Sequence, residues 1–353
     1  PQELKNSILQ LAIQGKLVEQ RAEEGTADEL YQQIQAEKQQ LIKEGKIKKG
    51  KPLPEITEDE IPFDIPESWK WVRLRTIVYN RGQEVPSTMF SYIDIGSIDN
   101  KKHCLNTEEN IIEADKAPSR ARKIVEKGDI LYSTVRPYLH NMCIIDREFT
   151  CRPIASTGFA VMTCYNGIYN KYLFYYLMSP PFDSYVNNPE NSKGVAYPAI
   201  SDDRLYRAVV PLPPLVEQKR IVARIEELLS YIDRYEKAWN KLEELNKRFP
   251  IDLEKSILQM AIQGKLVEQR PEEGTAEELY QQIQAEKQRL IKEGKIKKEK
   301  PLPEITEDEI PFDIPESWKW VRIGNIGSWS AGATPPRTNP QYYNGNIPWL
   351  KTG

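Results

Sequence analysis

Seventy residues of this chain occur twice. Residues 4–73 return as 253–322, an offset of 249, and the copies differ at seven positions: Lys5/Glu254, Asn6/Lys255, Leu11/Met260, Ala22/Pro271, Asp28/Glu277, Gln40/Arg289 and Gly50/Glu299. Any fold must therefore place one sequence on both sides of the unique block 74–252. Stacked repeats run about 20 to 50 residues and lie against their neighbours, so two copies held this far apart do not make a solenoid. Packing constrains apolar pattern and volume, and it does not demand identity at exposed Glu, Lys and Gln positions. The likeness points to events in the gene, recent duplication or recombination, and a crossover between copies would exchange whatever follows them.

With 353 residues the chain can hold two or three modules and bury a sizeable core. It has no run of 18 apolar residues and opens on a polar, amphipathic stretch, which supports neither a membrane span nor secretion. The expected location is the cytoplasm. Cys104, Cys143, Cys151 and Cys164 form no CxxC pair and only His103 and His140 could join them, so no metal site is expected and the thiols read as buried or idle. The net charge of −3 conceals an asymmetry, since 68–214 carries 18 Lys/Arg against 15 Asp/Glu while the remainder is acidic on balance. A mildly basic module is compatible with DNA binding without requiring it.

Leu4, Ile8, Leu11 and Ala12 fall at helical spacing and Gly15 is placed to stop that helix. Thr26 with Glu29 makes a capping box for a second helix, whose face is marked by Leu30, Ile34 and Leu41 and which Gly45 ends; Thr275, Glu278, Leu279, Ile283, Leu290 and Gly294 repeat these signals. Pro52, Pro54, Pro62 and Pro66 make the next stretch a linker. The unique block reads as short strands at 92–98, 129–134, 142–145 and 159–163, with one helix at 171–178. After Pro211-Leu212-Pro213-Pro214, apolar residues step by four and three through Ile221, Ile225, Leu228, Ile232, Tyr235, Trp239 and Leu242. Three such heptads form a seam for a partner helix, or the buried face of an ordinary amphipathic helix. Pro250 is expected to break or kink this helix before Leu253, Ile257, Met260 and Ala261 resume it.

A globular block that ends in PLPPLVEQKRIV and runs into a heptad helix resembles the specificity subunit of type I restriction-modification systems. Gly128-Asp129-Ile130-Leu131-Tyr132-Ser133 with Arg136-Pro137, Ser156-Thr157-Gly158-Phe159 and Tyr197-Pro198-Ala199-Ile200-Ser201 are similar to that family's landmarks, and Gly332-Ala333-Thr334-Pro335 and Asn346-Ile347-Pro348-Trp349-Leu350 to the opening of another recognition domain. The resemblance implies an α+β fold: a globular mixed α/β target recognition domain attached to long coiled-coil-type helices. Its segments would be a helical region at 1–51, a linker at 52–67, a recognition domain at 68–214, a helical region at 215–300, a linker at 301–316 and the start of a second recognition domain at 317–353. Family members usually carry two complete recognition domains and two long helices, so this arrangement looks like a two-domain subunit cut out of frame with its modules.

By the same resemblance the chain would be a non-catalytic subunit with no cofactor, reading double-stranded DNA and directing a methylation subunit and a restriction subunit to the target. With one full domain and one full helix it is expected to form a homodimer through antiparallel pairing of residues 217–245. The rival readings are a coiled-coil scaffold whose globular block binds protein and, more distantly, an adenine methyltransferase. Ser179-Pro180-Pro181-Phe182 resembles the loop with which such enzymes hold a flipped adenine, but no glycine-rich turn for S-adenosylmethionine accompanies it, and a helix stop after Met178 explains it as well. Asp99-Asn100-Lys101 reads as a turn. Base edges and phosphates are met by Arg, Lys, Asn and Gln with aromatic neighbours. The candidates are Lys101 and Lys102; Arg120, Arg122 and Lys123; Arg136, Tyr138, His140 and Asn141; and Asn191, Lys193 and Tyr197, with Arg136 and Lys193 best placed.

Overall fold

A computed structural model describes residues 1–50, 52–189, 191–193, 198–327, 334, 338–343 and 345–346. Contacts divide the chain into two units, Pro1–Asn240 and Lys241–Gly353, so segments 1–51, 52–67 and 68–214 fold as one body. The architecture is α+β.

In the first unit two four-stranded sheets carry the fold. One is antiparallel, in the order Val78–Tyr79, Phe159–Cys164, Ile130–Ser133, Met142–Ile144. Side chains alternate across it: Ala160, Met162, Ile130 and Tyr132 enter one core, while Phe159, Val161 and Leu131 enter another. A sheet covered on both faces needs continuous apolar runs, which these strands supply. The other sheet runs Ile111–Ile112, Phe90–Ile93, Arg152–Ser156, Ala121–Ile124, with a parallel pair at its centre. Lys70–Arg73 pairs antiparallel with Val209–Leu212 and so ties the start of the block to its end.

The expected strand at 92–98 is shorter, Phe90–Ile93, because Asp94 accepts a hydrogen bond from the Ser97 amide (3.0 Å) and turns the chain. The expected helix is present at Asn170–Leu177, and strands stand at Ile130–Ser133, Met142–Ile144 and Phe159–Cys164. Ser179 and Pro180 open a new helix, Pro180–Asn187, whose Phe182 is buried against Tyr132 and Tyr176.

Both capping boxes form, Thr26/Glu29 on Ala27–Lys43 and Thr275/Glu278 on Ala276–Lys292. In the first helix, Gln2–Ile13, the buried face is Leu9, Ala12 and Ile13, while Leu4 and Leu11 are exposed. Two stripes of that helix satisfy the same period, and periodicity alone does not say which one meets a partner. The proline-rich stretch is also strapped down. The Arg73 guanidinium donates to both Glu60 carboxylate oxygens (2.6 and 2.7 Å) and to the carbonyls of Glu55 and Arg207, and Phe63 lies 5.1 Å from Trp71.

That guanidinium holds the Glu60 carboxyl at about 2, below the ordinary 4.5. Because the folded value lies below the unfolded one, the pair stabilises fully above the unfolded value, and the contribution is lost as pH falls from about 5 toward about 2. Glu60→Gln should flatten that part of the acid response, read as urea midpoints between about pH 6 and pH 2. Equal acid sensitivity in the parent and the variant would show that the pair contributes nothing.

The long helix is continuous from Leu215 to Ile262 with Pro250 inside it. The expected break is therefore absent. Pro250 forfeits one intrahelical hydrogen bond, while the Arg248 guanidinium pairs with Glu244 (4.0 Å) and Asp252 (3.5 Å) on either side of it. The heptad seam meets its partner in cis. Ile221 and Ile225 are buried with Val222, Leu9, Ala12, Trp69 and Tyr172 in one cluster, and Ile232 is buried as well. Lys5 reaches Asp233 and Glu236 while Gln20 reaches Glu217, so the N-terminal helix runs antiparallel to the long one. The dimer expected through residues 217–245 would need this occupied face. Leu228 is half-buried, and Tyr235, Trp239 and Leu242 are exposed.

In the second unit the repeat refolds on the same internal contacts. Gly264 takes the left-handed turn of Gly15 against Pro315 and Trp318, Arg322 straps Glu309, and Phe312 lies 5.2 Å from Trp320.

Candidate nucleic-acid interface

Asp129 fixes the base of the site. Its buried carboxylate accepts from Arg81 Nε (2.9 Å), Thr163 Oγ1 (2.7 Å) and the Glu126 amide (2.8 Å), which locks the start of strand Ile130–Ser133. The strand then delivers Thr134–Asn141 to the surface. Backbone hydrogen bonds lace this loop to its neighbours: Thr134 donates to Gly158 (2.9 Å), Ile200 to Thr134 (3.0 Å), Arg136 to Pro198 (2.8 Å) and Thr157 to Arg120 (2.8 Å). Asn100 Nδ2 donates to the Leu139 carbonyl (3.1 Å), and Asp99 turns its own loop by accepting from the amides of Lys101 and Lys102.

Sequence-distant candidates thus gather in one place. Lys101, Lys102, Tyr138 and Arg120 are exposed, and Arg136, His140 and Asn141 are half-buried at the loop's edges. The three non-glycine residues with left-handed backbone among the described residues, His103, Arg136 and His140, all belong to this cluster. Each such conformation costs about 1–3 kcal/mol and persists where surrounding structure over-determines it. His140 Nε2 lies 2.8 Å from Asp183 Oδ1. Burial and the neighbouring His140 draw the His103 imidazole below its ordinary range, which favours its neutral form.

Other candidates fare differently. The Lys123 ammonium is buried on Asp202 (3.2 Å), which takes it off the surface; its charge is used in holding a strand to the segment Asp202–Arg207. Arg122 bends back to the Ala121 carbonyl. Asn191 donates to Tyr185 and Asn188 carbonyls, a structural use. Lys193 stands in the hairpin strand Ser192–Lys193, paired with Ala199–Ile200, and that hairpin joins the loop through the bridge from Val135 to Ala199. Tyr197 lies outside the described residues, as do residues 332–333, 335 and 347–350 of the tail phrases.

Sequence reasoning missed Asp183 and the tie through Asn100. Their partners lie about forty residues away, so no local spacing signals either contact. Burial pushes the Cys143 and Cys164 thiols up to about 12, far from a reactive thiolate. What converges is a set of hydrogen-bond donors with an exposed aromatic, suited to phosphates and base edges.

Residues 68–247 match the family described as type I restriction modification DNA specificity domain. Over 375 residues the chain is 33% identical to the specificity subunit of the type I restriction enzyme EcoAI of Escherichia coli, covering 92% of this chain and 62% of that protein. For the EcoEI specificity subunit of the same organism, identity is 30% over 390 residues, with 94% and 64% covered. The chain therefore spans under two thirds of the length of these relatives. The crystal structure of the HsdS subunit from Thermoanaerobacter tengcongensis aligns at 32% identity and a TM-score of 0.47, over 53% of this chain and 49% of that one.

Proposed function

The chain belongs to the family of type I restriction modification DNA specificity domains, and on that premise we propose that it reads a double-stranded DNA sequence for a complex whose other subunits carry the chemistry. The observation that supports this reading most is the convergence of the donor-bearing loops 99–102 and 136–141, the first tied to the second by the Asn100 side chain and the second tied by backbone bonds to Pro198 and, through Val135, to Ala199. Left-handed backbone at Arg136 and His140 holds their side chains where an extended chain would not. The methylation subunit would supply S-adenosylmethionine chemistry and the restriction subunit ATP-driven cleavage, with this chain holding no cofactor. Tyr235, Trp239, Leu242, Leu245 and Phe249 leave an apolar stripe on the long helix, and we assign it to docking of such a subunit.

Methylome sequencing of cells expressing the chain with its methylation subunit tests the reading: one methylated sequence motif should appear and vanish when the chain is omitted. In binding assays, Lys101→Ala with Lys102→Ala should weaken binding to all duplexes alike and reduce the slope of log affinity against log salt by about 1 to 2. Salt-independent binding, or equal affinity for every sequence in the parent chain, would favour the scaffold reading.

A further inference from the structure

An acid stands among the donors of the candidate interface. Asp183 lies in the first turn of helix Pro180–Asn187, its side chain 39% exposed and its Oδ1 2.8 Å from His140 Nε2. A carboxylate beside bound DNA repels phosphates, so its presence there weakens binding unless it acts through a neighbour. The pair is fixed from both sides. Asn187 Nδ2 donates to Asp183 Oδ1 (2.8 Å) and to its carbonyl (2.9 Å), while the His140 amide donates to Pro137 (2.9 Å) and its carbonyl accepts from Met142 (2.8 Å). Phe182, next to Asp183, packs edge-on to Tyr132 of the strand that delivers the loop (5.7 Å). The phrase Ser179-Pro180-Pro181-Phe182 thus anchors the helix that carries the acid.

We propose that Asp183 is a positioning residue of the DNA interface: it turns His140 so that Nδ1 faces the duplex, and it is the counter-ion of the imidazolium that donates there. The inference rests on the DNA-reading function proposed above. An ionised carboxylate only accepts, so Nε2 carries the proton that faces Asp183 and Nδ1 is the nitrogen left for DNA. Its acceptor is a phosphate oxygen or the N7 and O6 edge of a guanine. In the complex, negative charge then lies on both sides of the ring, and binding takes up a proton. The neighbouring groups do not replace it. His103, which meets the His140 and Met142 backbone and feels Asp99, is held toward its neutral form by burial; Arg136 stands at the far end of the same turn; and Tyr132 faces Asp183 as a buried, protonated hydroxyl.

The test uses the full chain and its cognate duplex. Parent affinity should rise about three- to tenfold from about pH 8 to about pH 6, the range in which an imidazole takes up its charge, and Asp183→Asn and His140→Gln should each lose that rise. At about pH 6, Asp183→Asn should bind about tenfold more weakly although it removes a negative charge, and should add nothing in a His140→Gln background. Uniform loss over all duplexes places the acceptor on a phosphate, and relaxed discrimination at one G·C pair places it on a guanine. Both side chains are part-exposed, so neither substitution opens the core. Without DNA, two-bond proton–nitrogen NMR of the chain's two histidines should show Nε2 protonated in neutral His140 of the parent and mixed tautomers in Asp183→Asn. Stronger or unchanged binding by Asp183→Asn, an unaltered pH profile, or an unaltered tautomer would overturn the inference and leave the DNA-reading function standing. A parent chain that binds every sequence equally would overturn both.

Discussion

Arg136→Ala is expected to bind its cognate duplex roughly five- to 150-fold more weakly than the parent, the effect of losing about 1–3 kcal/mol from one base-edge contact. The residue follows a buried strand, takes a left-handed backbone at φ 49° and donates its amide to Pro198, so the loop sets its position and its side chain is the variable. Stability should move by less than about 0.5 kcal/mol, because no core packing is removed. Binding isotherms on the cognate duplex and on single-base variants read the outcome. Relaxed discrimination at one base pair marks base reading, and uniform weakening marks a phosphate contact. Unchanged affinity, or a melting temperature that falls together with affinity, would remove Arg136 from the interface.

One substitution made in both copies should give two results. Trp69→Ala is expected to destabilise the first unit by about 3–5 kcal/mol, since it empties a buried site beside Tyr172 and Ile221 and strips the indole donor from buried Glu217. Trp318→Ala, at the same place in the repeat, should cost roughly 1 kcal/mol or less, because that ring is already 39% exposed. Hydrogen exchange followed by mass spectrometry reads the two units separately, with peptides from 215–232 reporting on the first. Equal losses in the two copies would mean that the contacts of Trp69 with Glu217, Tyr172 and Ile221 add nothing to what the repeat does by itself.

Much of the local structure was legible because its causes are local. Thr26 and Glu29 lie three residues apart and cap a helix whatever surrounds them, as Thr275 and Glu278 do again. Pro213-Pro214 start the long helix, and continuous apolar runs mark three of the sheet strands. Other readings slipped where distant groups decide. Lys123 looked like a surface cation until Asp202, 79 residues on, took its charge inside. Pro250 read as a break or a kink, and of the two the break is absent, since one helix runs through it. The heptad seam had the right period, but its partner was the N-terminal helix of the same unit.

The repeat separates the two kinds of information most clearly. By itself, the sequence determined the interior of each copy: caps, glycine turns, the Arg–Glu strap and the ring pairs recur at nearly equal distances in both. These contacts join residues within about fifty positions, so they follow the sequence wherever it stands. Only the tertiary structure decided that Leu9 is buried and Leu258 is not, or that Trp69 finds an acceptor in Glu217. Burial belongs to the pair of surfaces that meet, and the surface that covers the first copy includes residues 148 to 197 positions away.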